Sequence, residues 1–552
     1  MVRWVRPLTS RLDETAETLG AKAHGLVTLH RLGLPVPPGF VVTTEACRTF
    51  LRRGRLPDGL HAELATAMRG LEDATGRRFG GTRTPLAVSV RSGASVSMPG
   101  MMDTILDLGL TTEATTALAA ETGDAWFALE SRSRFLSTLA AALTDGTALA
   151  GGTALAGGTA LAGGTAGRDT ADGQAPPTSE ITAIEAVIER RSGRAVPDDA
   201  LAQLTLAVET VFSSWDTPRA RTYRELHGIP HDLGTAVIVQ AMVYGNRDEH
   251  SGTGVAFSRD PNTGENVPFG DVLFGCQGDD VVSGRSPTRP LRELGSREPA
   301  VWAALVDALA RIERHDRDAC YVEFTFQSGE LWLLQARPGR FVGAAAVRVA
   351  TDLADEGLIT RQEALLRVSP RHLRHARTPR MAPSARADIL ARGIGACPGA
   401  AVGKIATTTD AAIRMSVDGP VILVRPETSP HDMAGLAAAA GIVTARGGAA
   451  SHAAVVARAM AKPAVVGIGD LTVESTGIRT AGRVIDAGTL VTIDGTSGEV
   501  ALGSRRIVTD TADAHVRRLL AWADDVSGDR SDREEAERLA AAHAALRRAR
   551  SS

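Results

Sequence analysis

Short apolar runs bounded by glycine and proline alternate with segments of helical periodicity along most of the chain. The segment LGLPVPPGFVVTT (32–44) predicts a proline-rich turn that leads into a strand. The segment PLAVSVRSGASVSMPGMMDTILDLGL (85–110) predicts a strand, a glycine-rich loop and a second strand, whereas residues 180–225 have helical periodicity. Because 552 residues are too many for one hydrophobic core, this alternation predicts an α/β (α+β) multidomain protein.

Breaks in the pattern suggest where domains begin and end. Residues 146–167 repeat the letters GTALAG and lack the bulk to form a core, so we expect a flexible insertion over about 146–178. Residues 1–345 otherwise predict one domain, and residues 346–388 predict a helical linker that ends rich in arginine and proline. Residues 389–505 predict a second α/β domain, and residues 506–552 a charged helical tail.

Charge and hydropathy exclude some classes of protein. The formal net charge of −3 argues against nucleic acid or an anionic membrane as a partner, since both favour basic surfaces. The sequence contains no run of about 18 apolar residues, so it predicts no membrane-spanning helix. The first residues, MVRWVRPLTSRLDETAETLG, lack the apolar stretch of a signal peptide. We therefore expect a cytoplasmic protein.

The segment RGGAASHAAVVARAM (446–460) places a histidine at the start of a predicted helix. Gly447 and Gly448 predict a tight turn, and Ser451 can cap the helix that follows. His452 then lies in the first turn, where free N–H groups and the helix dipole favour negative charge. The position suits a phosphorylated imidazole, and an ordinary surface histidine is the alternative.

Two basic residues indicate a phosphate-binding region within the first 110 residues. Lys22 lies early in a helical stretch and can meet a phosphate as a point charge. Arg91 ends a predicted strand just before a loop that contains Gly93 and Gly100. Such loops can fold backbone N–H groups over phosphates. A plain loop with an exposed arginine is the alternative.

The segment YVEFTFQSGELWLLQAR (321–337) predicts a β-hairpin with Ser-Gly at its turn. If the loop has three residues, 328–330, position 323 lies opposite 335, and Glu323, Gln335 and Arg337 project from one face. A carboxylate and an amide oxygen beside an arginine can hold Mg²⁺ and a triphosphate. An edge hairpin whose polar face meets water is the alternative.

Long segments of the chain, in the same order, resemble pyruvate phosphate dikinases. The similarity extends from about residue 10 to about residue 525 and is interrupted by the GTALAG insertion. It implies an ATP-grasp-like nucleotide-binding domain over 1–345 and a phosphohistidine swivelling domain over 389–505. The segments that carry the resemblance are SVRSGASVSMPGMMDTILDLGL, GTAVIVQAMVYGNRDEHSGTGVAFSRDPNTGE, VEFTFQSGELWLLQARPGR, VILVRPETSP and RGGAASHAAVVARAM.

The resemblance also implies a reaction and the residues that carry it. His452 falls on the histidine that the family phosphorylates, and Glu323 and Gln335 would hold Mg²⁺. In the family, ATP and phosphate become AMP and pyrophosphate while the histidine is phosphorylated, and the phosphoryl group then passes to pyruvate, giving phosphoenolpyruvate. Gln240 and Met242 fall in the strand that lines the adenine in the family. The residues that fall on ATP-binding positions are Lys22, Arg91, Gln240, Met242, Glu323, Gln335 and Arg337.

The chain departs from the family at the predicted metal site and at its end. Tyr321 stands where the family usually has aspartate, which removes a carboxylate from beside the metal. The family's C-terminal barrel, which binds phosphoenolpyruvate and pyruvate, has no counterpart here, so we expect a separate barrel protein as partner beside ATP and phosphate. The sequence leaves open whether the protein forms a homodimer. The alternatives are a phosphotransferase with a different small-molecule acceptor and a non-catalytic nucleotide-binding remnant.

Overall fold

The computed structural model describes residues 3–96, 98, 102, 104–143, 178–193, 195–278, 288–377, 379–382, 388–429, 432–449, 451–509 and 514–551. The chain forms two compact units, one made of residues 1–247 and 332–336 and the other of residues 248–331 and 337–552. The predicted domain boundaries stay predictions, and most of the predicted GTALAG insertion lies outside the described residues.

A five-stranded antiparallel sheet organises the first unit. Val88 and Val90 are fully buried against the helices, while Ser89 and Arg91 alternate onto the other face. The predicted strands on either side of the glycine-rich loop are confirmed. In order across the sheet, the strands are Val5–Pro7, Gly39–Val42, Ala236–Ala241, Val88–Gly93 and Thr104–Leu108.

Helices and a short two-stranded ladder complete the first unit. Arg78–Phe79 and Pro85–Leu86 form the ladder. The helices are Ala16–Arg31, Thr44–Arg53, Leu60–Thr75, Thr112–Thr122, Ala125–Leu143, Thr178–Ser192, Ala200–Ser214 and Pro218–His227.

A second sheet includes the predicted hairpin, and its residues belong to the second unit except for 332–336, which belong to the first. The hairpin turn has two residues rather than three, because both Ser328 and Gly329 adopt positive φ (51° and 79°), as in the primed turns whose twist matches that of the strands. The sequence-based pairing of position 323 with position 335 required a loop of three residues. The observed loop of two residues does not support that pairing. In order, the strands are Arg289–Pro290, Phe269–Phe274, Gly252–Phe257, Cys320–Gln327 and Glu330–Pro338.

An eight-stranded mixed sheet forms the rest of the second unit's β structure, together with two small sheets. Its central strands Ala400–Ala406, Val421–Arg425, Gly441–Thr444 and Ala464–Val466 are parallel, and the helix His452–Met460 crosses between the last two. The remaining strands of this sheet are Ile389–Arg392, Ile394–Cys397, Leu490–Asp494 and Glu499–Leu502. The small sheets contain Thr472–Glu474, Gly477–Thr480 and Arg483–Asp486, and Pro379–Met381 with Ile507–Thr509.

The helices of the second unit pack partly on the sheets and partly on one another. Leu353, Leu365, Leu519 and Leu539 belong to a helical core in which the predicted linker and the C-terminal tail pack together. No helix of the described residues is long and apolar enough to cross a bilayer. The helices are Glu293–Arg297, Pro299–Asp316, Gly343–Asp355, Arg361–Arg367, Pro370–Ala376, Thr409–Met415, Met433–Ala438, His452–Met460, Ala514–Ser527 and Glu535–Ser551.

Candidate functional site

Two loops meet at the carboxyl ends of parallel strands in the eight-stranded sheet. One follows the strand Val421–Arg425 and carries Thr428, and the other follows Gly441–Thr444 and leads into the helix that begins at His452. The carboxyl ends of adjacent parallel strands share an edge, where α/β sheets commonly bind ligands. Thr428 Oγ1 and His452 Nδ1 are 3.0 Å apart there. The predicted placement of His452 in the first helical turn is therefore confirmed.

Asp432 fixes the loop that carries Thr428. Its carboxylate is buried and accepts hydrogen bonds from the backbone N–H of Ser429 at 2.9 Å and from Thr409 Oγ1 at 2.9 Å. The guanidinium of Arg425 lies 3.2 Å from the same carboxylate, so the charge is paired as well as hydrogen-bonded. These contacts hold Thr428 in place against the imidazole, since Ser429 is its chain neighbour.

Burial lowers the pKa of His452 below its usual value of 6.5, although the carboxylate of Asp432 opposes the shift. The imidazole is therefore neutral at pH 7. A neutral imidazole carries a proton on one nitrogen and a lone pair on the other. If Nδ1 donates its proton to Thr428 Oγ1, the lone pair is on Nε2.

The loop before His452 depends on glycine at two positions. Gly447 has φ of 103°, which disfavours other residues. A Cβ on Gly448 would come 2.3 Å from Thr288 Oγ1 and 2.4 Å from Asp271 Oδ2, so only glycine allows this approach. The paired glycines of the sequence thus form the predicted turn and also permit close contact with the second sheet.

Ser451 occupies the N-cap position but does not cap the helix with its side chain. Its backbone carbonyl accepts from Val455 N at 2.9 Å, while its hydroxyl is buried and has no hydrogen-bond partner among the described residues. A buried hydroxyl without a partner is costly, so the hydroxyl is available to a ligand at the start of the helix. The prediction that Ser451 caps the helix is therefore correct for its position but wrong for its side chain.

Arg458 ties the His452 helix to the loop before it. The side chain is buried, and it donates to the carbonyl oxygens of Ala396 at 2.8 Å and Ala449 at 2.6 Å. Its guanidinium also lies 5.5 Å from the ring centroid of Phe257 in the second sheet. Burial lowers the pKa of Arg458, which nevertheless stays charged at neutral pH because an arginine starts so high. Sequence analysis missed this residue, although a lone arginine in an alanine- and valine-rich helix is a signal.

Tyr321, Glu323 and Asp271 lie on one face of the second sheet. Tyr321 and Glu323 are two residues apart in one strand, and Asp271 pairs with Val255, the partner of Glu323. Tyr321 is buried edge-on against Phe257, and the guanidinium of Arg337 lies 4.2 Å from the centre of its ring. The ring of Tyr321 thus holds this arginine through a cation–π contact.

In the first unit, a break in the first helix brings Lys22 to the strand that carries Arg91. Gly20 has φ of 77° within the helix Ala16–Arg31, and a Cβ there would come 1.7 Å from the carbonyl oxygen of Gly93. Ala21 N donates to Ala94 O at 2.9 Å, which fixes the approach. A Cβ on Gly93 would in turn lie 3.6 Å from Lys22 Cβ.

Arg91 joins this group to the segment that contains Gln335. Its guanidinium donates to the carbonyl oxygen of Leu334 at 3.0 Å, one residue before Gln335. Lys22, Arg91 and the 332–336 segment are therefore neighbours in the first unit. Two cations beside an amide are a reasonable setting for a polyphosphate.

The two residues predicted to line an adenine have different environments. Gln240 is buried, and its side-chain amide donates to Pro37 O at 2.9 Å. Met242 is half-buried against a small cluster that includes Ala87 and Phe127. An adenine contact at either residue stays a prediction.

The predicted magnesium site is divided between the units. Glu323 and Arg337 belong to the second unit, and Gln335 belongs to the first. No group of three or more acidic, histidine or cysteine residues within the described part of the chain is arranged to hold a metal ion. Mg²⁺ with a nucleotide needs few protein ligands, because phosphates and water complete its shell. The carboxylates of Glu323 and Asp271 on one sheet face fit that requirement.

Comparison with protein-family models gives two matches. The model for the pyruvate phosphate dikinase AMP/ATP-binding domain matches residues 16–66 and 53–298. The model for the mobile domain of PEP-utilising enzymes matches residues 417–498, which contain the His452 loop and helix.

Curated proteins with similar sequences are named pyruvate, phosphate dikinases. The protein of Rhizobium meliloti (strain 1021) is 41% identical over 527 residues, covering 93% of this chain and 58% of the relative. That of Clostridium symbiosum is 38% identical over 531 residues, covering 95% and 60%. Pyruvate, phosphate dikinase 2 of Zea mays is 41% identical over 517 residues, covering 92% and 58%. The chain thus spans less than two thirds of each of these relatives.

Proposed function

Since the chain belongs to the pyruvate phosphate dikinase family, we propose that it is an ATP-dependent phosphotransferase whose His452 is the phosphoryl acceptor. The observation that carries the proposal is the contact of 3.0 Å between His452 Nδ1 and Thr428 Oγ1 at the start of a helix. It supports a tautomer in which Nδ1 holds the proton and Nε2 carries the lone pair that attacks phosphorus.

The same place suits the product. The first turn of the helix has backbone N–H groups without helical partners, and the buried Ser451 hydroxyl has no partner among the described residues. Both can donate to a phosphoryl group on His452.

In the proposed reaction, His452 Nε2 forms a bond to the β-phosphorus of ATP, and the bridging oxygen leaves with AMP and the bonding electrons, so that two phosphoryl groups are on the imidazole. Inorganic phosphate takes the terminal phosphoryl group, which yields pyrophosphate and leaves one phosphoryl group on His452. Lys22, Arg91 and Arg337 would neutralise the triphosphate. Glu323, with Asp271 on the same sheet face, would hold Mg²⁺, which neutralises phosphate charge when bound, and Gln335 stays a predicted ligand.

Incubation with Mg²⁺, phosphate and β-labelled ATP tests the proposal. We expect label on the wild-type protein and none on His452→Ala. His515→Ala is the matched control, because His515 is also near the start of a helix and has Thr351 Oγ1 2.8 Å from its Nδ1. Label that survives His452→Ala, or is lost equally in His515→Ala, contradicts the assignment.

Transfer of the phosphoryl group to pyruvate is proposed to use a phosphoenolpyruvate/pyruvate-binding barrel supplied in trans. A separately expressed barrel domain, added with pyruvate, should discharge the label and release phosphoenolpyruvate. Discharge by another small molecule, with no response to the barrel and pyruvate, would identify a different acceptor. The packing of Tyr321 against Arg337, in place of an acidic residue, favours a non-catalytic nucleotide-binding remnant as the second candidate. ATP binding without any label on His452 is the result that supports it.

A further inference from the structure

A cavity of about 430 Å³ lies in the second unit beneath the C-terminal end of the His452 helix. Its walls come from the helices Gly343–Asp355 and Pro370–Ala376, and from residues 458, 459 and 461 at the end of the His452 helix. This volume is within the range of about 300–1,000 Å³ that is usual for small-molecule sites. The nucleotide and phosphohistidine residues described above, Arg458 apart, lie outside it.

Arginine supplies most of the charge in the polar lining of the cavity. Four arginines and two histidines line it, against one carboxylate, that of Asp318, which lies 3.2 Å from Arg367. Burial, and then the charge of neighbouring arginines, lowers the pKa of both His372 and His375. The arginines and histidines of the lining are Arg340, Arg367, Arg371, His372, His375 and Arg458.

The rest of the lining is apolar. Val349, Ala350 and Leu353 are buried and form one wall, and Phe341 is half-buried beside them. Gly343, where the longest of the cavity's helices begins, also lines the space, and the free N–H groups of a helix start favour an anion. An excess of arginine beside an apolar wall suits a ligand with a doubly charged head and an apolar body.

We propose that this cavity binds a small organic phosphate monoester, with its phosphate at the arginines and its apolar body against the wall of Val349 and Leu353. Arginine favours such a group because its planar guanidinium can donate two parallel hydrogen bonds to phosphate oxygens. A phosphate would add negative charge to a lining in which four arginines face one carboxylate, whereas a neutral ligand would add none.

The position of the cavity gives the ligand a regulatory effect, and this second step rests on the proposed function. Arg371 donates to the carbonyl oxygen of Met460 at 3.3 Å, so the cavity is bounded by the linker helices on one side and by the end of the His452 helix on the other. A ligand that contacts both walls stabilises the arrangement in which they are together. It therefore slows any step in which the domain predicted over 389–505, which carries His452, moves away from the helices Gly343–Asp355 and Pro370–Ala376.

Calorimetric titration with phenyl phosphate tests the binding site. We expect one molecule per chain, with affinity reduced about tenfold or more in Arg371→Gln through the loss of a charged hydrogen bond. Ala346→Trp should abolish binding by filling the cavity, since Ala346 lines it. Arg314→Gln is the matched control, because Arg314 is an exposed helical arginine in the same unit outside the cavity. Benzyl alcohol, which lacks the charge, should not bind.

Equal affinity in the wild type and in Ala346→Trp would overturn the proposal, as would complete displacement of phenyl phosphate by a non-hydrolysable ATP analogue. The circular dichroism spectra of Arg371→Gln and Ala346→Trp should match that of the wild type. If one of these variants misfolds, the affinity of the other still tests the site. Binding that persists in His452→Ala separates this inference from the proposed phosphotransfer. Amide hydrogen exchange should slow on both walls, in 343–355 and in 452–460. Slowing on the first wall alone would refute the regulatory step.

Discussion

Replacing Thr428 with valine should slow the phosphorylation of His452 without unfolding the protein. Valine keeps the branched shape of threonine but puts a methyl group where Oγ1 lies 3.0 Å from His452 Nδ1. One hydrogen bond is worth about 1 kcal/mol net, and about 1.36 kcal/mol of barrier corresponds to a tenfold change in rate. If the bond serves only to orient the imidazole, labelling from β-labelled ATP should therefore slow about fivefold.

Single-turnover labelling, quenched at short times, measures this rate separately from nucleotide affinity. Thr428→Ser keeps the hydroxyl and should label at close to the wild-type rate. Thr351→Val removes the corresponding hydroxyl from His515 and should have no effect on labelling. A wild-type rate in Thr428→Val, or equal slowing in Thr351→Val, would refute the positioning role of Thr428.

Four further outcomes follow from the contacts of the site. Labelling should be independent of pH above about 6.5 and decline only below it, because burial lowers the pKa of His452 and the neutral imidazole is the nucleophile; a decline that begins above pH 7 would contradict this. Arg458→Met should lower the free energy of unfolding by about 3 kcal/mol in urea titrations, since two buried carbonyls lose a charged donor. Gly448→Ala should reduce both stability and labelling, whereas Gly469→Ala, which meets no atom within 4 Å, should change neither. Tyr321→Phe should keep ATP affinity and Tyr321→Leu should weaken it, because only phenylalanine preserves the ring beneath a guanidinium.

Local patterns identified the elements of the fold whose side chains alternate between core and surface. The strand Val88–Gly93 could be predicted because valine and polar residues alternate, and the hairpin because Ser-Gly falls between two apolar runs. The helix start at His452 could be predicted for the same kind of reason, since glycines and a serine precede an alanine-rich stretch. The length of the turn could not, because two- and three-residue loops with Ser-Gly differ only in backbone conformation.

Local sequence patterns could not predict contacts between residues that are distant along the chain. Asp432 looks like any loop aspartate in the sequence, and its partners Thr409 and Arg425 are defined only once two parallel strands are adjacent. Arg458 lies 9 and 62 residues along the chain from the two carbonyl groups that it binds. The break at Gly20 depends on close approach to Gly93, which no local propensity encodes. The residues that perform the proposed chemistry were therefore easier to find than the residues that hold them in place.

His452 and His515 show why a hydrogen-bonded histidine at a helix start is not enough to identify a phosphoryl acceptor. Both have a threonine hydroxyl at Nδ1, at 3.0 Å and 2.8 Å respectively. His515 also lies 3.5 Å from the carboxylate of Asp352, which would repel a phosphoryl group on the same ring. His452 instead follows a glycine loop and adjoins a buried serine hydroxyl that has no partner within the described residues. An added phosphoryl group gains these donors at His452, where the nearby carboxylate of Asp432 is hydrogen-bonded by Ser429 and Thr409 and paired with Arg425. At His515 it meets a carboxylate 3.5 Å from the ring, so label on that histidine would contradict this account.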